Sequence, residues 1–61
     1  MKPREVEKLI IKDGWYLVGQ VGSHRQYKHP TKPGKVTIPW HKKELKTGTL
    51  ESIKDQAGIK N

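Results

Sequence analysis

The 61-residue chain has no cysteine, no phenylalanine and only six acidic residues. Without cysteine it can form neither disulfides nor thiolate metal sites. Its longest aliphatic run, Leu9-Ile10-Ile11, is far shorter than the ~20 apolar residues of a membrane span and shorter than a signal-peptide core. We therefore expect a soluble cytoplasmic protein that contacts no membrane and uses no cofactor.

The length allows one domain, 1–61, with little interior. A chain of this size buries only about 60% of the surface that its unfolded form exposes. It cannot enclose a deep substrate cavity, so any site must lie on the surface. A surface site suits a large polymer better than a small molecule.

Positive charge is the strongest compositional signal. Thirteen Lys and Arg residues oppose six Asp and Glu, which gives a formal net charge of +7. Such a surface attracts polyanions and speeds encounters with them. Charge alone does not distinguish RNA, DNA, an acidic protein or a simple gain in solubility.

The first element is predicted to be a short amphipathic helix. Val6, Leu9 and Ile10 follow helical spacing, and Asp13-Gly14 supplies a stop in the left-handed conformation. Pro3 suits the first helical position, because its missing N–H has no partner there in any case.

Three strands are expected to follow. Trp15–Val18 and Ser23–His29 read as the two strands of a hairpin, with a turn over Gly19–Gly22. A second turn, Pro30–Gly34, leads to the alternating strand Lys35–Ile38.

The last element is predicted to be a helix with Leu50, Ile53 and Ala57 as its inner stripe, and with Thr47 or Thr49 as its N-cap. A glycine stop follows it, and the next apolar residue should fold back on the helix.

The order is therefore α-β-β-β-α, an α+β fold in which two helices cover one face of a three-stranded antiparallel sheet. Successive strand residues point to opposite faces. If Tyr27 packs against the helices, Arg25 lies on its side, whereas His24, Gln26 and Lys28 face solvent.

His24 is the main candidate for chemistry. A histidine titrates near neutral pH, so it can accept or donate protons where Lys, Asp and Glu cannot. We take His24 as a general acid/base, with Arg25 and Lys28 holding phosphate and Gly22-Ser23 letting an RNA backbone approach closely. The alternative is that His24 is an ordinary surface residue and Gly22-Ser23 only a hairpin turn.

The other histidines and lysines are more ambiguous. His29 should point away from His24 and is interpreted as structural, although the spacing of the two also permits a zinc site. His41 is a candidate phosphate ligand or second acid. Lys42, Lys43 and Lys46 either follow an RNA backbone or belong to a solvated loop.

Taken together, the motifs resemble those of the HicA family of toxins. The resemblance runs almost end to end and rests on segments in order: Asp13-Gly14-Trp15, Gly22-Ser23-His24, Tyr27, His29-Pro30, Ile38-Pro39-Trp40-His41, Glu44-Leu45, Gly48-Thr49-Leu50 and Gln56-Ala57-Gly58-Ile59.

This resemblance implies a fold like the double-stranded-RNA-binding domain and a metal-independent endoribonuclease that cleaves mRNA. It implies that His24 is the essential catalytic residue. The expected partner is a HicB-type antitoxin that covers the catalytic surface. The toxin would be a monomer when free and part of a higher-order complex with its antitoxin.

Two other functions fit parts of the pattern. A non-catalytic double-stranded-RNA-binding module would have the same fold and charge. A DNA-binding protein fits less well, because no predicted helix carries a basic face suited to reading bases.

Overall fold

A computed structural model describes residues 1–59 and has the expected element order. The elements are α1 (Pro3–Lys12), β1 (Tyr16–Val21), β2 (His24–Lys28), β3 (Val36–Pro39) and α2 (Thr47–Ala57). The strands form one antiparallel sheet in the order β1-β2-β3. The predicted α+β architecture is confirmed.

The core lies between the helices and one face of the sheet. It combines residues from both helices, from β2 and β3 and from the loops: Val6, Ile10, Trp15, Tyr27, Val36, Ile38, Leu45, Ile53 and Ala57. Tyr27 is completely buried, as the predicted strand register requires. Because both helices supply side chains to this single cluster, the other face of the sheet stays open to solvent.

Helix α1 begins without a side-chain cap from Lys2. Instead, the Glu5 carboxylate accepts a hydrogen bond from the Lys2 backbone N–H at 2.7 Å. This is the second half of a capping box, and an acidic group there also complements the helix dipole. Pro3 occupies the start of the helix, as predicted.

The predicted hairpin turn is wrong in position. Strand β1 continues to Val21, and the turn consists only of Gly22-Ser23, with Val21 paired to His24. Gly22 has φ 56°, which a two-residue hairpin turn with glycine in its first position requires. The earlier glycine, Gly19, lies inside the strand beside a β-bulge, where the register shifts between Leu17 and Gly19.

Three further boundaries differ from expectation. Trp15 is buried just before β1 rather than within it, and β2 ends at Lys28. The N-cap of α2 is Lys46, so neither Thr47 nor Thr49 caps the helix. The Lys46 carbonyl already accepts the Leu50 N–H at 2.9 Å, which places Thr47 inside the first turn.

The glycine stop after α2 is confirmed. Gly58 adopts φ 66°, and the Ile59 N–H reaches back to the Lys54 carbonyl at 3.0 Å. Ile59 then packs against the core. This hydrogen-bond pattern and its apolar contact are those of a Schellman motif.

His29 joins the ends of three elements. Its Nδ1 accepts the backbone N–H groups of Thr31 and Lys32, both at 3.1 Å, so Nε2 carries the proton and donates to the Asp13 carbonyl at 2.8 Å. Its ring also meets Trp15 edge-on, with the centroids 5.2 Å apart. His29 is therefore structural, as interpreted from the sequence.

The contacts around His29 form a junction between the ends of these elements. The carbonyl of Ala57, at the end of α2, is also part of this junction. It accepts hydrogen bonds from Trp15 Nε1 at 3.2 Å and from Lys32 Nζ at 3.1 Å. Lys32 also pairs with the Asp13 carboxylate at 2.5 Å, and this contact holds the pKa of Asp13 below its usual value. The junction thus ties the ends of α1 and α2 to the chain after β2.

Gly14 is the position where this junction leaves least room. Its φ is 111°, and a Cβ placed there would lie 2.7 Å from His29 Nε2. We predict that Gly14→Ala lowers the free energy of unfolding by more than the ~1–2 kcal/mol typical of a left-handed non-glycine residue. Urea denaturation followed by circular dichroism measures this loss.

Gly34→Ala is the matched control. Gly34 also has a positive φ, 82°, but nothing lies within 4 Å of its would-be Cβ. It reports the backbone strain alone, so the difference between the two variants isolates the contact with His29. Equal losses for the two variants would contradict the proposed close packing.

Candidate functional site

His24 is the first residue of β2 and is exposed on the open face of the sheet. It pairs across the sheet with Val21 on one side and with Pro39 on the other. Among residues 1–59 its side chain makes no hydrogen bond or ion pair, in contrast to His29. The imidazole is therefore available to a ligand that lies on the sheet.

The residues beside His24 follow the predicted alternation. Gln26 and Lys28 point to the same side, and Thr37 pairs with Gln26 from β3. On β1, Tyr16 pairs with Lys28. Among the described strand residues, the open face therefore presents one imidazole and one lysine, Lys28, surrounded by uncharged side chains.

Arg25 points to the opposite face, where its guanidinium is held on three sides. Nη1 pairs with Glu7 of α1 at 2.9 Å, and Nε donates to Gln20 at 3.0 Å. The guanidinium also stacks 3.8 Å from the ring centroid of Trp40, a cation–π contact. These contacts hold Trp40 at the end of β3, close to the strand that carries His24.

Glu7 also accepts a hydrogen bond from the buried Tyr27 hydroxyl at 2.5 Å. Burial raises the pKa of Tyr27 well above its usual range, and the Glu7 carboxylate raises it further. The same carboxylate thus fixes two successive inward side chains of β2. Because side chains alternate along a strand, the inward orientation of Arg25 and Tyr27 requires His24 to point to the open face of the sheet.

The turn before His24 is attached to the loop after β3. The Trp40 backbone N–H donates to the Ser23 carbonyl at 2.5 Å. Gly22 and Ser23 are both exposed. His41 follows directly, and its Nδ1 accepts the Lys43 N–H at 3.1 Å, which orders the start of the loop.

A groove opens beside this loop. We call it the basic groove; it has a volume of about 580 Å³ and is lined by Lys2, Arg4, Trp40, His41 and Lys42. Trp40 thus contributes to the groove as well as contacting the Arg25 guanidinium. Cationic groups and an aromatic residue converge there, close to the turn that precedes His24.

Sequence reasoning found His41 and Lys42 but missed Lys2 and Arg4. No local pattern marks these two, because they join the groove only through tertiary structure. The Leu45 N–H donates to the Met1 carbonyl at 2.8 Å, which brings the start of α1 against the loop after β3. Lys43 lines instead a smaller depression beside the groove, together with Glu44, whose carboxylate pairs with the N-terminal ammonium of Met1 at 2.8 Å.

The zinc interpretation of His24 and His29 finds no support in the geometry. Both ring nitrogens of His29 are engaged by backbone groups. Within the described chain, no cluster of three or more histidine or carboxylate side chains is placed to hold a metal ion. Residues 1–59 contain no helix that is long and apolar enough to cross a membrane.

Comparison with known protein families shows to which family the chain belongs. The family model described as the HicA toxin of bacterial toxin–antitoxin systems matches residues 3–59, nearly the whole chain. The chain belongs to the HicA toxin family. No curated protein gave a match. As a HicA family member the chain is the toxin of a toxin–antitoxin system, and an antitoxin is its partner.

The HicA-like motifs divide between two roles in the structure. Asp13-Gly14-Trp15, His29 and Gly58 build the junction between element ends. Gly22-Ser23-His24 and Trp40-His41 lie together on the surface, joined by the Ser23–Trp40 hydrogen bond. The second group is therefore the one that can meet a ligand.

The tyrosine–glutamate contact generates a prediction about alkaline pH. Because the pKa of Tyr27 is raised in the folded state, the contribution of its neutral hydroxyl is fully present below the unfolded tyrosine pKa of about 10 and is lost as the pH rises above it. Tyr27→Phe should remove about 1 kcal/mol at pH 8.

Urea denaturation at pH 8 and pH 11 tests this. The gap between the wild type and Tyr27→Phe should narrow or reverse at pH 11, because only the wild type then has a buried hydroxyl to ionise. An equal gap at both pH values would show that the Tyr27 hydroxyl is not protected by the fold.

Proposed function

We propose that this HicA family toxin is an endoribonuclease that cleaves mRNA in the cytoplasm, with His24 as its catalytic general acid/base. In this proposal a HicB-type antitoxin neutralises it. The free toxin is a monomer and forms a higher-order complex with the antitoxin. The observation that carries the proposal is the exposed imidazole of His24 on an open sheet face, without a hydrogen bond to any of residues 1–59 and beside a groove lined with cationic side chains.

The chemistry needs little from the protein, because RNA carries its own nucleophile. The ribose 2′-OH attacks the adjacent phosphorus, a proton leaves the hydroxyl, and the bond to the 5′ oxygen breaks as that oxygen gains a proton. His24 carries out one of these proton transfers, which is worth about 10²–10⁴-fold in rate. The Lys28 ammonium, on the same face, stabilises the charge that grows on the phosphate.

The RNA path extends from the sheet into the basic groove. Gly22 and Ser23 form the exposed turn beside His24, and they are joined directly to Trp40. Phosphates on one side of the cleaved bond are held by Arg4, Lys42 and the neighbouring cations, and His41 adds a further donor. An unpaired base packs on the groove side of Trp40.

Arg25 has a different role from the phosphate-binding one suggested by the sequence. Its guanidinium lies on the inner face and is engaged by Glu7, Gln20 and Trp40. It therefore supports the RNA surface by positioning Trp40. Lys43 does not line the basic groove and contributes to RNA attraction through its long-range positive field.

The direct test of the proposal replaces His24. His24→Ala should lose about 10²–10⁴-fold in cleavage rate and abolish growth arrest on induction, while RNA binding and the melting temperature stay close to wild type. The rate is measured with purified protein and a labelled transcript. Undiminished cleavage by the variant would refute the assignment.

The same experiment separates the enzyme from a non-catalytic RNA-binding module. A module would bind RNA equally well with or without His24, and neither protein would cut it. An RNA with a single 2′-deoxy nucleotide at the cut site serves as the substrate control. It should bind but remain intact, because it lacks the nucleophile.

The basic groove predicts a charge-specific loss of binding. In the His24→Ala background, Arg4→Glu should weaken RNA binding severalfold and lower the dependence of log K on log salt by about one phosphate contact. Fluorescence anisotropy of a labelled oligonucleotide at several salt concentrations measures both quantities.

Lys8→Glu is the matched control, because Lys8 is also exposed on α1 and the change in net charge is the same. It accounts for the general loss of attraction between protein and RNA. If the two variants bind equally well, the basic groove is not part of the RNA path.

A further inference from the structure

Strand β1 forms an uncovered edge of the sheet. It pairs with β2 and, among the described residues, with no other strand. All six of its residues, Tyr16–Val21, are exposed, so neither helix covers it. Its free side therefore presents unpaired backbone N–H and C=O groups to solvent.

The side chains of β1 are unusually apolar for such an edge. Tyr16, Leu17, Val18 and Val21 are 49%, 46%, 48% and 68% exposed. None of the six residues is charged, although 31% of the chain is. Sheet edges in soluble proteins are normally protected by lysine, proline, a β-bulge or a covering element; among residues 1–59, β1 has only the bulge between Leu17 and Gly19.

The net charge indicates which kind of partner covers this edge. A second copy of the chain would bring +7 against +7 around an uncharged strand. An acidic protein that offers an extended apolar segment would gain from both surfaces, because its charge complements the rest of the toxin. Membership of a toxin–antitoxin family implies a protein partner, the antitoxin.

The position of β1 is continuous with the candidate catalytic surface. Val21, the most exposed of its large apolar residues, pairs directly with His24. A strand added to the free side of β1 would lie two strand spacings, about 10 Å, from β2. From there, the body of the partner could extend over His24 and the basic groove.

We propose that the antitoxin binds by adding a β-strand to the β1 edge, with Tyr16, Leu17, Val18 and Val21 as its apolar anchors. Backbone hydrogen bonds supply affinity, and the alternating side chains set the register. The partner is an acidic protein with an apolar edge strand. The inhibitory consequence rests on the proposed function of His24, whereas the binding site itself does not.

The test replaces an exposed aliphatic residue by lysine at the edge and away from it. Val21→Lys, in the His24→Ala background, should weaken binding of the HicB-type antitoxin by at least tenfold. Ile11→Lys is the control, because Ile11 is 50% exposed on α1, outside the sheet. Isothermal titration calorimetry gives both affinities, and the melting temperature of each variant shows that it is folded.

Hydrogen–deuterium exchange provides a second readout that needs no variant. Amides of Tyr16–Val21 should become protected when the antitoxin binds. Equal antitoxin affinity for the two variants, or unchanged exchange in β1, would overturn the proposal. A stable dimer of the toxin alone in light scattering, lost in Val21→Lys, would also overturn it by assigning the edge to a second copy.

These binding measurements stay informative if the chain proves not to be a ribonuclease, since none of them uses catalysis. In active toxin, Val18→Lys, at a proposed anchor that does not pair with His24, should still arrest growth alone but escape co-expressed antitoxin. If the active wild-type toxin does not arrest growth, the proposed function is contradicted. The calorimetry then still tests the proposed strand addition at the β1 edge.

Discussion

The orientation of β2 is the constraint on which the rest of the molecule depends. Tyr27 fills the core, and its hydroxyl shares the Glu7 carboxylate with Arg25. With two inward residues fixed in this way, strand alternation leaves no choice for His24, which must face solvent. A slip of one residue would bury the imidazole and expose the tyrosine, so stability and the candidate site are set by the same contacts.

Each surface of this small domain has a separate role. The inner face of the sheet carries the core and the Glu7 network, and the junction around His29 locks the ends of α1 and α2. The open face is left for His24, and the start of α1 meets the loop after β3 to form the basic groove. The apolar β1 edge remains uncovered in the free chain.

The sequence predicted those features that depend on local pattern. Alternation around Tyr27 gave the register, and helical spacing gave both helices. The hairpin turn was misplaced, because Gly19 and Gly22 have equal local signals and only the pairing of β1 with β2 shows that Gly19 sits beside a bulge. Thr47 looked like a cap, but the Lys46 carbonyl starts the helix one residue earlier.

Long-range placement accounts for the remaining differences at the candidate site. Nothing near Arg25 in the chain reveals that Glu7 and Trp40 will hold its guanidinium, and nothing near Arg4 reveals its approach to His41. Both depend on how α1 packs against the sheet. Residues next to a catalytic candidate in the sequence can therefore point to the opposite face of the sheet. Residues distant in the sequence instead complete the candidate RNA-binding surface.

The central claim is that the protein moves protons while the RNA supplies the nucleophile. Mass spectrometry of the fragments made by the purified toxin in the presence of a metal chelator tests it most directly. Attack by the 2′-OH predicts one fragment ending in a 2′,3′-cyclic phosphate and the other beginning with a 5′-hydroxyl. Fragments that begin with a 5′-phosphate would contradict it, because they require water or another nucleophile to attack in place of the ribose.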